Sequence, residues 1–186
     1  MPYNPSQAPH IFLSNQNNVI FFCNPTITVK YTVRQATALD IDQIISLCIK
    51  LAEFEGKLIR KVPSRSEITA RVLDEVLHDS SCAYFVAEDG PKIIGIVKVA
   101  HKESGAAKIS EAYVLEEYRN KGIMHALFER AVGWAVSRGL RFIYLTVVVG
   151  NDYAFNFWKK MGFEFESYAT EKLIKMSRTL NADYAA

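Results

Sequence analysis

No run in this 186-residue chain is apolar for long enough to span a membrane. Neither sign of charge dominates: 22 Lys and Arg against 20 Asp and Glu leave a net charge of +2. The basic residues are scattered and not striped, so a nucleic-acid-binding surface is not expected. Cysteine is scarce. Cys23, Cys48 and Cys82 are odd in number and lack metal-ligand spacing. No metal site is therefore expected, and the thiols read as reduced, in a cytoplasmic compartment. Residues 1–29 contain no Lys, Arg, Asp or Glu. That stretch lacks the basic n-region of a secretory signal and the Arg of a mitochondrial presequence. Internal repeats and low-complexity tracts are absent as well.

What is present suits one ordinary domain, with 49% hydrophobic residues to fill a core. Within the charge-free stretch, the apolar patches His10–Leu13 and Val19–Cys23 flank Asn15–Asn18. They read as a poorly ordered extension, or as strands added to a sheet edge or to a partner subunit. Lys30–Arg34 alternates as a first strand. Asp40-Ile41-Asp42-Gln43 reads as a capping box opening a helix. Ile41, Ile44, Ile45, Cys48 and Leu51 form its apolar face, and Gly56 suits its C-terminal cap. Ser64 to Glu67 is a second capping box, with Ile68, Val72, Val76 and Leu77 inward. Cys82–Ala87 and Lys92–Ala100 are near-continuous apolar strands joined by a Glu88-Asp89-Gly90-Pro91 turn. Their composition predicts a central place, covered on both faces. His101 opens the polar loop that follows and reads as a surface residue.

The most informative stretch runs from Ile109 to Trp134. Ile109–Leu115 has the composition of a buried strand. After two acids and a Tyr comes the basic run Arg119-Asn120-Lys121-Gly122. Beyond it the apolar residues Ile123, Leu127, Ala131 and Trp134 fall at helical spacing. Strand, tight basic turn and helix together aim backbone N–H groups and positive charge at one point, a natural seat for a pyrophosphate. Gly139 ends that helix. Phe142–Val149 is a further strand, which needs a right-handed crossover. Tyr153–Met161 is a short helix closed by Gly162. Phe163–Ala169 and Leu173–Thr179 form a last antiparallel pair.

Two motifs at this separation resemble the GNAT superfamily of acyl-CoA-dependent N-acetyltransferases. The family's pyrophosphate loop, Arg/Gln-x-x-Gly-x-Gly/Ala, is matched by Arg119-x-x-Gly122-x-Met124. Its later signature, Asn-x-x-Ala-x-x-Phe-Tyr-x-x-x-Gly-Phe, is matched by Asn151-x-x-Ala154-x-x-Phe157-Trp158-x-x-x-Gly162-Phe163. The likeness covers about residues 31–180. It departs in two places: Met124 replaces a small residue, and Trp158 replaces the Tyr that commonly protonates the departing thiolate. An indole N–H is a hydrogen-bond donor without useful acidity, so Trp158 can line the thioester pocket but not act as the acid.

The resemblance implies an α/β (α+β) domain over residues 30–181, with one mixed sheet, helices on both faces and splayed central parallel strands. It implies acetyl-CoA as co-substrate. Backbone groups at Ala112, Tyr113 and Val114 would bind the pantetheine arm. The diphosphate would sit on Arg119, Asn120, Lys121, Gly122, Ile123, Met124 and His125. Asn151, Ala154 and Phe157 would flank the other side. Glu111 is the one acid in the key strand and the candidate general base. Strict alternation puts it on the face of Ile109 and Tyr113, whereas Ser110, a possible proton relay, shares a face with Ala112 and Val114. The catalytic positions are thus Glu111, Ser110 and Trp158.

The first helix pair would wall the acceptor site, which makes Glu53 and Glu55 candidates to hold a cationic amine. Leu51–Glu55 faintly resembles the polyamine-acetylating branch. The expected reaction is direct attack of a primary amine on acetyl-CoA in a ternary complex, with a small cationic amine as first substrate class. A protein or peptide amine is the alternative, and a non-catalytic acyl-CoA-binding module is another. No membrane or nucleic-acid partner is expected, and a homodimer is possible.

Overall fold

The computed structural model describes residues 19–20, 30–59, 62–102 and 105–180. One sheet runs through it, in the order β1-β2-β3-β4-β5-β6-β8-β7. The two-residue strand β1 (Val19–Ile20) pairs antiparallel with β2 (Tyr31–Gln35). The other N-terminal expectations, and Cys23, lie outside the described residues. β3 (Cys82–Asp89) and β4 (Lys92–His101) form the expected hairpin, buried along most of their length. β5 (Ala107–Val114) follows antiparallel to β4. A crossover through α3 (Ile123–Ser137) leads to β6 (Phe142–Val148), parallel to β5. α4 (Asp152–Lys160) then precedes β7 (Glu164–Thr170) and β8 (Leu173–Thr179). This is the expected mixed sheet with helices on both faces.

α1 (Ile41–Ile59) and α2 (Arg65–Leu77) lie on one face of the sheet, and α3 lies on the other. The alternation of β4 records this. Lys98 reaches Glu75 of α2, whereas a Cβ at Gly95 would meet Leu127 and Ile123 of α3 at 3.1 and 3.3 Å. That Cβ would also stand 3.1 Å from a methyl of Val114. Gly95→Ala is therefore expected to overpack the seam between α3 and the sheet. It should cost about 1–3 kcal/mol, read as a lower midpoint in thermal unfolding.

Three local expectations are corrected. Asp40 does not pair with Gln43 in a capping box. Asp40 ends a single 3-10 turn capped by Thr37, and Arg34 grips its carboxylate through both terminal nitrogens at 2.7 and 2.8 Å. That contact holds the Asp40 carboxyl down to about 2. The Gln43 amide instead ties the β3–β4 turn to α1, accepting from Ile93 N–H and donating to the Pro91 carbonyl. Nor does Gly56 cap α1. The helix runs on to Ile59, and a Cβ at Gly56 would lie 2.5 Å from a Val62 methyl. Gly56 thus serves close packing inside the helix, at the cost of a poor helix former. Leu77 is 47% exposed, because α2 ends there and its inward face runs through Ile68 and Val72 to Val76, which packs partly buried against the core.

Candidate functional site

The parallel ladder between β5 and β6 holds at two positions, Ala107–Ile143 and Lys108–Tyr144. Beyond them the strands diverge, and a cavity of about 320 Å³ opens in the gap. Leu145 to Val148 of β6 line one wall and Ile109 to Val114 of β5 the other. Along that wall the β6-facing edge of β5 has no ladder partner. Its backbone donors and acceptors are left to a ligand or water.

The alternation expected for β5 breaks at Glu111. Lys98 stands opposite Ser110 and Ile96 opposite Tyr113, so Val97 alone faces both Glu111 and Ala112. Glu111 has a φ of +50°, as the extra residue of a bulge can. The phase shift puts Ser110 and Tyr113 on the α1–α2 face and moves Ala112 and Val114 to the face of Ile109. Glu111 joins Ser110 on the α1–α2 side, where Arg71 of α2 donates to its Oε1 at 2.6 Å. Glu111 therefore lines the cavity beside Ser110, whereas strict alternation puts the two on opposite faces.

Arg71 belongs to a partly buried polar chain. Its Nη1 also lies 3.6 Å from Glu75. Glu75 accepts from the Tyr84 hydroxyl at 2.6 Å and pairs with Lys98. Glu111 is thus a compensated carboxylate. Glu55 is different. It lines the same cavity from α1 and forms no ion pair with a cation among the described residues. Burial, and then the Glu111 charge, push its carboxyl above the usual range. Glu53 is exposed and is not part of the cavity wall. One helical turn cannot aim both acids inward when they are two residues apart.

The basic turn is tight, as expected. Asn120 and Gly122 have φ of +60° and +76°, and Gly122 is the N-cap of α3. The first helical bond runs from Ala126 N–H to the Gly122 carbonyl at 3.1 Å. The N–H groups of Ile123, Met124 and His125 come before it and remain orphaned at the cavity end. The two cations do less than expected. Arg119 donates through Nε to the Val114 carbonyl at 3.1 Å. Its guanidinium lies 5.6 Å from the Tyr113 ring and 6.0 Å from the Phe54 ring, fastening the turn to β5 and α1. Lys121 donates to the Glu117 carbonyl at 2.7 Å and does not line the cavity.

On the far side, the Asn151 side chain accepts from Ala154 N–H at 3.1 Å. Asn151 therefore caps α4, and Ala154 and Phe157 line the cavity beside it. Trp158 is 5% exposed. Its ring packs edge-on against Phe157, Phe163 and Phe128, with centroids 5.0, 5.4 and 5.6 Å away. Helical phase alone places Tyr153 away from Ala154 and Trp158. Even so, its hydroxyl reaches Asn120 at 3.3 Å across the cavity mouth.

Of the expected site residues, then, Glu53 and Lys121 fall outside the cavity wall and the others line it. Leu51, Phe54, Tyr118 and Lys108 line it too and were missed as site residues. Leu51 already stood on the apolar face of α1, and carrying that period on would have added Phe54. Counting back by two from Ser110 would have found Lys108. Among the described residues no His, Cys, Asp and Glu group is arranged to hold a metal ion. No described helix is long and apolar enough to cross a membrane. Cys48 and Cys82 are buried free thiols.

The profile of the acetyltransferase (GNAT) family matches residues 49–163. An uncharacterized N-acetyltransferase of Methanocaldococcus jannaschii is 30% identical over 142 residues, 72% of this chain and 61% of that protein. A streptothricin acetyltransferase of Escherichia coli is 32% identical over 90 residues, 48% of this chain and 51% of that protein. The chain thus spans between half and two thirds of the length of these relatives. A spermidine N-acetyltransferase of Vibrio cholerae, solved in complex with CoA and spermine, superposes with a TM-score of 0.66 at 22% identity. That match covers 84% of this chain and 98% of the other. The orphaned N–H groups behind Gly122, the parted strands and the match over residues 49–163 agree: the chain belongs to the GNAT acetyltransferase family, whose co-substrate is acetyl-CoA.

Proposed function

We propose that this chain transfers the acetyl group of acetyl-CoA to a primary amine of a small cationic molecule, by direct attack in a ternary complex. The diphosphate is held by the orphaned N–H groups of Ile123, Met124 and His125 at the positive end of α3. The pantetheine arm lies along the free backbone edge at Ala112 to Val114. Trp158 walls the thioester end of the site. Glu111, fixed by Arg71, and Ser110 stand where the reacting amine loses its proton. Buried free thiols at Cys48 and Cys82 suit a reducing, cytoplasm-like setting.

The acceptor class rests on Glu55. A carboxylate in a cavity wall, next to a second carboxylate and without a paired cation among the described residues, is costly as an anion. A second positive charge on the substrate relieves that cost. Such a contact is worth about 1.5–3 kcal/mol as a charge-assisted hydrogen bond, or about tenfold to a hundredfold in affinity. Diamines or polyamines are therefore expected to be used better than monoamines of matched length. Glu55→Gln should raise KM for them more than it lowers kcat. Side-by-side steady-state kinetics test this. Equal kcat/KM for both amines, unchanged by Glu55→Gln, would shift the acceptor to a protein or a neutral-tailed amine.

A further inference from the structure

Two lysines of the central strands point to the α1–α2 side, and they are treated differently. Lys98 on β4 is buried, paired with Glu75, and lies over the Tyr84 ring. Lys108 on β5 is half-buried and lines the cavity, yet its side chain makes no hydrogen bond or ion pair with any described residue. Its register partner is Ala100, and Ser110's is Lys98, so Lys108 shares the face of Ser110 and the bulged Glu111. Lys108 lies two positions before Ser110, about 7 Å along a strand, and a flexible four-carbon stem carries its amine. Lys108 is also the last residue of the β5–β6 ladder, so the cavity opens directly after it. A residue that carries a primary amine therefore lines this cavity, on the face of Ser110 and Glu111. Burial, together with the nearby Lys102 and Lys98, pulls the Lys108 ammonium below the usual lysine range, against a smaller opposing pull from the Glu111 charge. A larger share of it is the free amine that can attack.

We propose a further activity, transfer of the acetyl group from bound acetyl-CoA to the chain's own Lys108. Lys108 Nζ, as the free amine, attacks the thioester carbon. The C–N bond forms, the C–S bond breaks, coenzyme A leaves as the thiolate, and the proton lost from nitrogen passes to solvent. The product is Nε-acetyl-Lys108 and coenzyme A, with no net redox change. Acetylation removes a positive charge from the cavity wall and fills the acceptor end, so the modified chain loses turnover of small amines. The inference rests on acetyl-CoA lying in this cavity and not on which amine is the natural acceptor.

The test incubates the full chain with saturating acetyl-CoA and no amine, with binding verified by calorimetry in the same sample. Intact-mass and peptide mass spectrometry follow the acetyl groups. One acetyl group per chain is expected, on Lys108, with a rate independent of protein concentration. It should be absent in Lys108→Arg, strongly reduced in Gly122→Asp, and slowed by an added good acceptor amine. Acetylation spread over exposed lysines at equal rates in wild type and Gly122→Asp would overturn the proposal. So would an unmodified Lys108 in a chain saturated with acetyl-CoA. A chain that acetylates diamines but leaves Lys108 bare fails this inference alone. One that acetylates Lys108 but treats both amines alike fails the acceptor reading alone.

Discussion

Gly122→Asp is expected to weaken acetyl-CoA binding by at least a hundredfold in calorimetry, while the chain stays folded. Two effects act in the same direction. The first is conformational: Gly122 sits in the left-handed region at +76° as the N-cap of α3. An Asp tolerates that region better than most residues, so the strain is on the order of 1 kcal/mol. The second is electrostatic and larger. A carboxylate at the N-cap can take for itself the N–H groups that otherwise face the diphosphate, and it repels the diphosphate's charge. Losing one charge-assisted contact costs about 1.5–3 kcal/mol, and the repulsion adds to it. Gly122→Ala carries the strain without the charge and should lose much less. Wild-type binding that is absent from the outset, or matched by the folded Gly122→Asp variant, would falsify the pyrophosphate assignment.

Trp158→Ala is expected to lower the thermal midpoint by on the order of 10 °C. Trp158 is held by three aromatic neighbours from α3, α4 and the approach to β7. Truncating such a residue costs about 3–5 kcal/mol, at roughly 2–4 °C per kcal/mol for a chain of this size. Trp158→Phe keeps the ring and should retain most of the turnover, because an indole never supplied an acidic proton. Coenzyme A is a tolerable leaving group near neutral pH, its thiol having ordinary acidity. Trp158→Tyr restores a phenol at the family's usual position and should at least match wild type. A drop of several orders of magnitude in turnover of a folded Trp158→Phe protein would mean that the indole takes part in the chemistry.

The parts of the site made by local sequence were legible in advance. The turn at Asn120–Gly122, the short helix α4 and the order of elements all follow from residue type at short range. The parts decided at long range were not. Gly56 reads as a helix stop until Val62 is seen against it. Helical phase in α1 brings Glu55 to the cavity and leaves Glu53 outside. The bulge at Glu111 has no local mark either. Period-two reasoning assumes an unbroken ladder, and one extra residue opposite Val97 reverses the face of everything after it. Arg71, which draws the Glu111 side chain to α2, lies 40 residues away in sequence. Likewise, the charge of Arg119 gave no hint that the Val114 carbonyl would claim its Nε.

The parting of β5 from β6 after only two paired residues also bears on how the gap, as the proposed binding surface, would tolerate change. A ligand lying in the gap meets amides and carbonyls, which every residue carries. Identity at Ala112, Tyr113 and Val114 is then read mainly by the packing on either side of the sheet and only weakly by the bound molecule. Such a cradle keeps its donors through drift in its own side chains. It is lost when the gap itself closes, for instance if β6 were to continue its ladder along β5. The record of recognition is therefore kept in strand geometry, and the letters of the strand are free to answer to the core.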